Sequence, residues 1–301
     1  VLAKRDSEAV EYITNFAAWS VQHPGERTEA ALVTRGDKGV GKGVFFGALR
    51  RIFGGHGLQI FSRAHLVGNF NAHRRNCLFM FADEAFWAGD KQGESVLKGL
   101  ITEPVFMLEQ KGVDAVQWPN RIKLCMAANA DWVVPASHDE RRYAVFDISK
   151  ERIGDRNYFR SLFAELDSGG IAAMLYDMLR MELGDWHPRH IPQTAALQEQ
   201  KARSMAPLME WWEGWLQEGI GTSAFWTGPD LYRTIRTSAP MTRDYSDKKL
   251  AGFLHKIGAL WGRSNGVTRW QMPEMENART SFEQAYGKWS WNSEIQKETK
   301  K

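Results

Sequence analysis

The sequence predicts an α/β fold, with a parallel sheet followed by a mainly helical C-terminal region. Three observations carry this. Short apolar runs at residues 30–34, 77–82, 123–128 and 143–148 alternate with helical patterns, as when crossover helices join parallel strands. The first run opens into a glycine-rich segment, Gly36 to Gly43, that leads directly into a helical pattern. Beyond Asp155, apolar residues recur at helical spacing over long stretches.

The elements follow in order. Residues 7–23 read as a helix with Val10, Ile13, Phe16 and Ala17 on one face, Ser7 as N-cap, and Pro24-Gly25 as the stop. The helix that starts at Lys42 runs to about Phe53 and ends at Gly54-Gly55. Residues 94–101 are helical. Strand-like stretches 105–108 and 113–118 are joined across Gly112, which reads as a hairpin. Long helices are expected over 159–183 and 193–218, separated by Pro188 and Pro192. Residues from 228 to 286 suit a compact module whose best helix has Leu250, Phe253, Leu254 and Ile257 on one face. The organisation is therefore a helical lead-in at 1–29, a core at 30–150, a helical region at 151–227, a module at 228–290 and a tail at 291–301, polar and frayed from Glu294.

Composition sets bounds. The chain has 301 residues, of which 43% are hydrophobic and 25% charged, so a sizeable core is expected rather than disorder. A net charge of +3 means that any nucleic-acid site must be a local patch. Cys77 and Cys125 both sit in apolar runs without metal or redox spacing, which fits core packing in a reducing cytosol. No apolar stretch has the roughly 18 residues that a membrane span requires. The chain starts at Val1 and turns helical almost at once, so an upstream domain of a longer protein is expected.

The sharpest feature is Gly36-Asp-Lys-Gly39-Val40-Gly41-Lys42-Gly43, followed by Val44. Glycines let a backbone fold tightly and aim N–H groups inward. The following helix adds its positive N-terminal end, and Lys42 can reach the β- and γ-phosphates of a nucleotide. This is the Walker A pattern except at its end, where a Ser or Thr hydroxyl normally binds Mg²⁺ and Gly43 offers none. Mg²⁺ would then need another ligand, such as water held by Asp83. Alone, the segment also reads as a glycine-rich turn that binds nothing.

Asp83-Glu84 closes the second apolar run, where one acid can sit near Mg²⁺ and the next act as general base on water. Asn129 closes the third run, where an amide can orient the water or the γ-phosphate, or simply form a turn. Arg141 and Arg142 follow within Asp139-Glu-Arg-Arg-Tyr143. An arginine can stabilise charge on a transferred phosphoryl group, worth roughly 10³–10⁵ in rate. An exposed salt-bridging pair is the alternative.

Taken in order, Gly36–Gly43, Phe70-Asn71, Phe81-Ala-Asp83-Glu84, Lys111-Gly112, Asn129 and Asp139-Glu-Arg141-Arg142 resemble superfamily 3 helicases of the AAA+ class. The likeness is strongest to the helicase domains of phage and poxvirus-type primase-helicases, and Ile191-Pro-Gln-Thr-Ala-Ala-Leu197 extends it to the phage group. The resemblance implies a P-loop AAA+ core and a ring, commonly a hexamer, with ATP between subunits. It also implies ATP-driven travel along single-stranded DNA in the host cytoplasm, beside a primase or polymerase domain. A hairpin before the asparagine strand would reach DNA, making Lys111 the leading contact and Gln110 a weaker one.

A second basic patch runs from Arg233 to Arg269, with an excess of six positive charges and a winged-helix outline, and Lys248, Lys249 and Arg269 are its candidate DNA contacts. Trp211, Trp212 and Trp215 fall at helical spacing and read as core rather than base-stacking residues. His56, His65, His73, His138, His187, His190 and His255 form no metal-ligand pattern. Two other readings remain: a DNA-packaging ATPase, which the hairpin before Asn129 argues against, and a nucleotide-dependent assembly module without turnover, which Gly43 favours.

Overall fold

The computed structural model describes residues 6–85, 90–137, 140–219, 225–264, 267–287, 289 and 291. The expectations for His138, Asp139 and the tail from Glu294 lie outside them. Two compact units emerge. One comprises the described residues to Ala136 together with Glu140–Gln200, and the other comprises Ser137 and the described residues from Lys201 onward.

The first unit contains, in chain order, α1 (Ser7–Gln22), β1 (Ala31–Arg35), α2 (Lys42–Ile52), β2 (Gly57–Ile60), α3 (Arg63–Val67), β3 (Phe79–Asp83) and α4 (Lys91–Thr102). Then come β4 (Val105–Gln110), β5 (Val113–Pro119), β6 (Lys123–Ala128), β7 (Tyr143–Asp147), α5 (Arg156–Glu165), α6 (Ile171–Arg180) and α7 (Ala195–Arg203). Five strands form one sheet in the order β2-β3-β6-β1-β7, and every pairing is parallel. Side chains alternate across a strand, and here both sets are apolar. Val33, Met80, Met126 and Val145 join the core on one face with α3 and α4. Leu32, Phe81, Cys125 and Phe146 join the core on the other face with α1, α2 and α6. Burial on both faces is why these strands read as continuous apolar runs.

Several expectations are corrected. Asp6, not Ser7, caps α1, accepting from the N–H groups of Glu8 and Ala9. Val10 is exposed, while Ala9, Tyr12, Ile13 and Phe16 are buried. The helix expected over 159–183 begins at Arg156 and breaks at Ser168-Gly169, where Gly169 adopts φ +101°. The helix expected over 193–218 breaks before Pro207, which holds Ala206 extended at ψ 145°. Short β2 and α3 had no recognised pattern.

β4 and β5 form a separate antiparallel hairpin whose tip is Lys111-Gly112, with Gly112 at φ +78°. Its outer strand is exposed nearly throughout.

The second unit contains α8 (Pro207–Glu218), β8 (Phe225–Thr227), α9 (Gly228–Ser238), α10 (Asp247–Lys256), β9 (Leu260–Ser264), β10 (Val267–Gln271) and α11 (Met275–Tyr286). The strands form an antiparallel sheet in the order β8-β10-β9. Trp211, Trp212 and Trp215 are buried with Leu231, Leu254 and Trp270 in its core, which places them in packing as their spacing indicated.

Candidate functional site

The site lies at the carboxyl ends of β1, β3 and β6, the edge of a parallel sheet where ligands of such folds bind. Register places the three ends side by side: Thr34 and Asp83 both pair with Ala127. Beyond β1, Gly36 continues the ladder, its N–H donating to Ala128 O at 3.2 Å. Gly39 and Gly41 take φ of +81° and +89°, a conformation side chains resist. Gly41 is the N-cap of α2, and no side chain caps that helix. Its first N–H groups therefore face the loop, a ready anion site. Val40 is buried beneath the loop, and Gly43 and Val44 form the first turn of α2.

Lys42 is buried, and its ammonium is folded back onto the loop. It donates to Gly36 O at 2.6 Å, to Asp37 O at 2.8 Å and to the Asn129 side-chain oxygen. The Asn129 amide nitrogen in turn donates to a Glu84 carboxylate oxygen. One amide, at the end of β6, thus joins the first residue of α2 to the residue that follows β3. Glu84 stands at φ +53°, a left-handed conformation costing about 1–2 kcal/mol for a side-chain-bearing residue. Its N–H donates to Ala127 O at 2.8 Å, which fixes the turn.

Burial pulls the Lys42 ammonium below the ordinary lysine value, against the pull of Glu84, Asp83 and Asp37. Burial and then the Glu84 carboxylate raise Asp83 above the ordinary aspartate range, while Lys42 and a hydrogen bond from Gln59 oppose the rise. Among the described residues no three His, Cys, Asp or Glu side chains gather into a metal-binding group. A single carboxylate beside a bound phosphate would suit Mg²⁺, which keeps several waters and uses one or two carboxylates plus substrate phosphates. Asp83 fits that requirement.

Beside Gly41 opens a cavity of about 360 Å³, walled by Ile13, Val44, Phe45, Tyr158, Phe159 and Met174 among others. The Phe159 ring lies so close over Gly41 that a Cβ there would meet it at 2.7 Å. Phe159 had no signal in the sequence, since α5 lies far along the chain from the loop. Arg35 was also missed. It closes β1 with bonds to Asp147 at 2.7 and 3.1 Å and to Glu199 at 2.6 Å.

The other predicted residues stand elsewhere. Arg142 O accepts from Ala31 N at the start of β1, so Arg141 and Arg142 occupy the sheet edge opposite Lys42. Arg141 is exposed, and Arg142 is half-buried beside buried Glu140. The hairpin is also rooted toward that edge. Asn120 at its foot donates to Leu100 O and Glu103 O, both at 2.8 Å. The Asn71 amide clamps β4, donating to Met107 O and accepting from Glu109 N, both at 2.8 Å. Lys111 and Gln110 are exposed. In the second unit Lys248 and Lys249 are exposed in the first turn of α10, with the Lys249 ammonium 3.2 Å from the Tyr245 ring centre. Arg269 is exposed on β10, opposite Thr227 and Gly262.

Fold and site together define a mixed α/β protein with a glycine loop, two acids and an asparagine converging on one edge of a five-stranded parallel sheet. A family of unknown function, DUF5906, matches residues 34–142, which hold all of these groups. The chain is homologous to the DNA primase-polymerase of Nitratiruptor phage NrS-1, with 26% identity over 145 residues, 47% of this chain and 20% of that protein. The matched stretch thus spans about a fifth of the length of that relative. The apo structure of the NrS-1 C-terminal region superposes with a TM-score of 0.71 at 16% identity, covering 91% of this chain and 73% of that one. A second apo structure of the same region, the A form, gives 0.67 at 17% identity, over 89% and 72%. Among the described residues, no helix is long and apolar enough to cross a membrane.

Proposed function

We propose that this chain is the ATP-driven motor of a phage-type replication protein, a helicase or translocase domain with a P-loop AAA+ core that hydrolyses ATP between copies in a ring. The observation that carries the reading is the hydrogen-bonded set Lys42–Asn129–Glu84, which brings together three of the four groups that phosphoryl transfer needs at one point. Asp83, the fourth, is the last residue of β3, next to Glu84.

In this reading the loop N–H groups and Lys42 take the phosphates, leaving the loop carbonyls that Lys42 now contacts. Glu84 accepts the proton of the attacking water. Asn129 orients the γ-phosphate or the water. Mg²⁺ bound with the nucleotide would neutralise charge on its phosphates, and Asp83 would hold it directly or through water. Arg141 or Arg142, on the far edge of the sheet, acts on the nucleotide of a neighbouring copy. Lys111 and Gln110 at the hairpin tip contact single-stranded DNA. Lys248, Lys249 and Arg269 of the second unit, read as a winged-helix module, give a second contact. The homology to a phage primase-polymerase supports a place in DNA replication beside such a domain.

The test is ATP hydrolysis with and without single-stranded DNA at several protein concentrations. DNA stimulates the wild type, with a rate that rises more steeply than protein concentration. Glu84→Gln lowers hydrolysis by about 10²–10⁴, and Lys42→Ala abolishes it. DNA-stimulated hydrolysis that survives both substitutions sinks the reading. Gly43 favours one competitor, a nucleotide-dependent assembly module for a primase or polymerase. That module would assemble and bind DNA with ATP while turning over none.

A further inference from the structure

The cavity beside Gly41 adjoins the loop assigned to the phosphates, and its own walls are almost wholly apolar. At about 360 Å³ it falls within the range of small-molecule pockets, about 300–1,000 Å³. Its walls come from α1, the loop with α2, and α5 running into α6. Three of its side chains are aromatic: Phe45, Tyr158 and Phe159, with the last two edge to face at 5.3 Å.

The polar inventory of the walls is short. Among the lining side chains there are two hydroxyls, Thr14 and Tyr158, and no amide, carboxylate, guanidinium or imidazole. Thr14 already donates to Val10 O at 2.7 Å. The helical backbone behind the walls has its N–H and C=O groups engaged along the helix axes. A hydroxyl both donates and accepts, and it rotates to suit its partner. It therefore serves the 6-amino group of adenine and the 6-oxo group of guanine equally well.

We propose that this cavity receives the nucleobase and selects it by shape and stacking, so that the site takes purine nucleoside triphosphates as a class, ATP and GTP nearly alike. The proposal rests on the nucleotide reading of the phosphate loop. Its physical basis is the asymmetry of recognition. A site built to hydrogen-bond a particular group rejects analogues by about 10⁴–10⁵, whereas an apolar pocket separates near-isosteres by about 10–200 at most. A base that enters meets aromatic faces, which stack on any base. Phe159, touching Gly41, couples base occupancy to the loop that holds the phosphates.

The experiment displaces a ribose-labelled fluorescent ATP from the full chain, with Mg²⁺ present, using ATP, GTP, CTP and inorganic tripolyphosphate. ATP and GTP are expected within tenfold of each other, CTP weaker, and tripolyphosphate weaker still. Phe159→Leu should weaken ATP and GTP alike by about tenfold and leave tripolyphosphate unchanged. Met174→Trp, which fills the cavity from α6, should do the same, and the melting temperature of each variant reports whether it is folded. GTP binding more than tenfold weaker than ATP overturns the proposal, because a polar group must then read the base. Unchanged ATP binding in both folded variants also overturns it, by placing the base elsewhere. If the wild type binds neither ATP nor tripolyphosphate, the phosphate-loop reading itself falls, an outcome distinct from either.

Discussion

The two edges of the parallel sheet are built for different ends. At the carboxyl edge, charged groups are crowded and mutually engaged: Lys42, Asn129 and Glu84 form one hydrogen-bonded set with Asp83 beside it. At the amino edge, Arg141 is exposed, the hairpin foot is tied down by Asn120, and buried Lys123 is spent entirely on holding the chain. Its ammonium donates to Pro24 O at 2.8 Å, Glu26 O at 2.5 Å and Arg121 O at 3.1 Å. On the proposed function, one edge would keep its polar groups for a ligand and the other for the fold and for a neighbour. The phosphate-handling groups and the charge-stabilising arginines of the proposed reaction thus lie at opposite ends of the same sheet, so in the proposed ring one copy would not complete its own site.

The sharpest way to break this comparison is to mix disabled copies. Arg141→Ala/Arg142→Ala is expected to lower hydrolysis by about 10³ or more, and Lys42→Ala alone to abolish it. Mixed together, the two proteins should regain measurable activity, because some interfaces join an intact arginine to an intact lysine. A mixture no more active than its parts would show that the arginines do not work across copies.

The next effect is on stability. Lys123→Met takes away the donor of three part-buried hydrogen bonds, at a cost of about 1–3 kcal/mol. Burial pushes the Lys123 ammonium down to about 8, below the roughly 10.4 of an unfolded chain. Between these values the unfolded chain binds more protons, so wild-type stability rises with pH and is lost as pH falls through about 8. The margin of wild type over Lys123→Met, followed by denaturant melts, should therefore widen from pH 8 to pH 10. A margin that is flat with pH would mean that this lysine does not titrate there.

The smallest effect concerns the missing hydroxyl. A Cβ at Gly43 would find its nearest neighbour, the Phe81 ring, at 3.9 Å, an ordinary contact. Gly43→Ser should therefore fold normally and lower the Mg²⁺ concentration for half-maximal hydrolysis several-fold. An unchanged Mg²⁺ dependence would mean that Asp83 and water already fill that role.

Four of the five strands of the sheet and most of the carboxyl edge were legible in the sequence because their signals are local. A glycine loop before a helix and acids or an amide at the end of apolar runs each need only a few neighbouring residues. What escaped was long-range. Phe159 reaches Gly41 from α5, and Arg35 finds its partners on β7 and α7; neither contact leaves a mark near its own position. The helix breaks were misread for a different reason. Gly169 and Pro207 stood in the sequence as breakers, but the apolar spacing on either side outweighed them. Asn71 was recognised only as part of a pattern. Its work as a surrogate strand partner for β4 depends on pairing that no neighbouring residue announces.

Asn129 has a consequence of its own. A carboxamide has one end that only accepts and one that only donates, and here each end has a different client: the ammonium of Lys42 and the carboxylate of Glu84. Swapping its ends would set an N–H against an ammonium and a carbonyl against a carboxylate, so the resting molecule has a fixed polarity. An anion that draws Lys42 away removes half of what enforces that polarity. On the proposed function the side chain would then work as a two-terminal relay, reporting at Glu84 whether the lysine is engaged elsewhere.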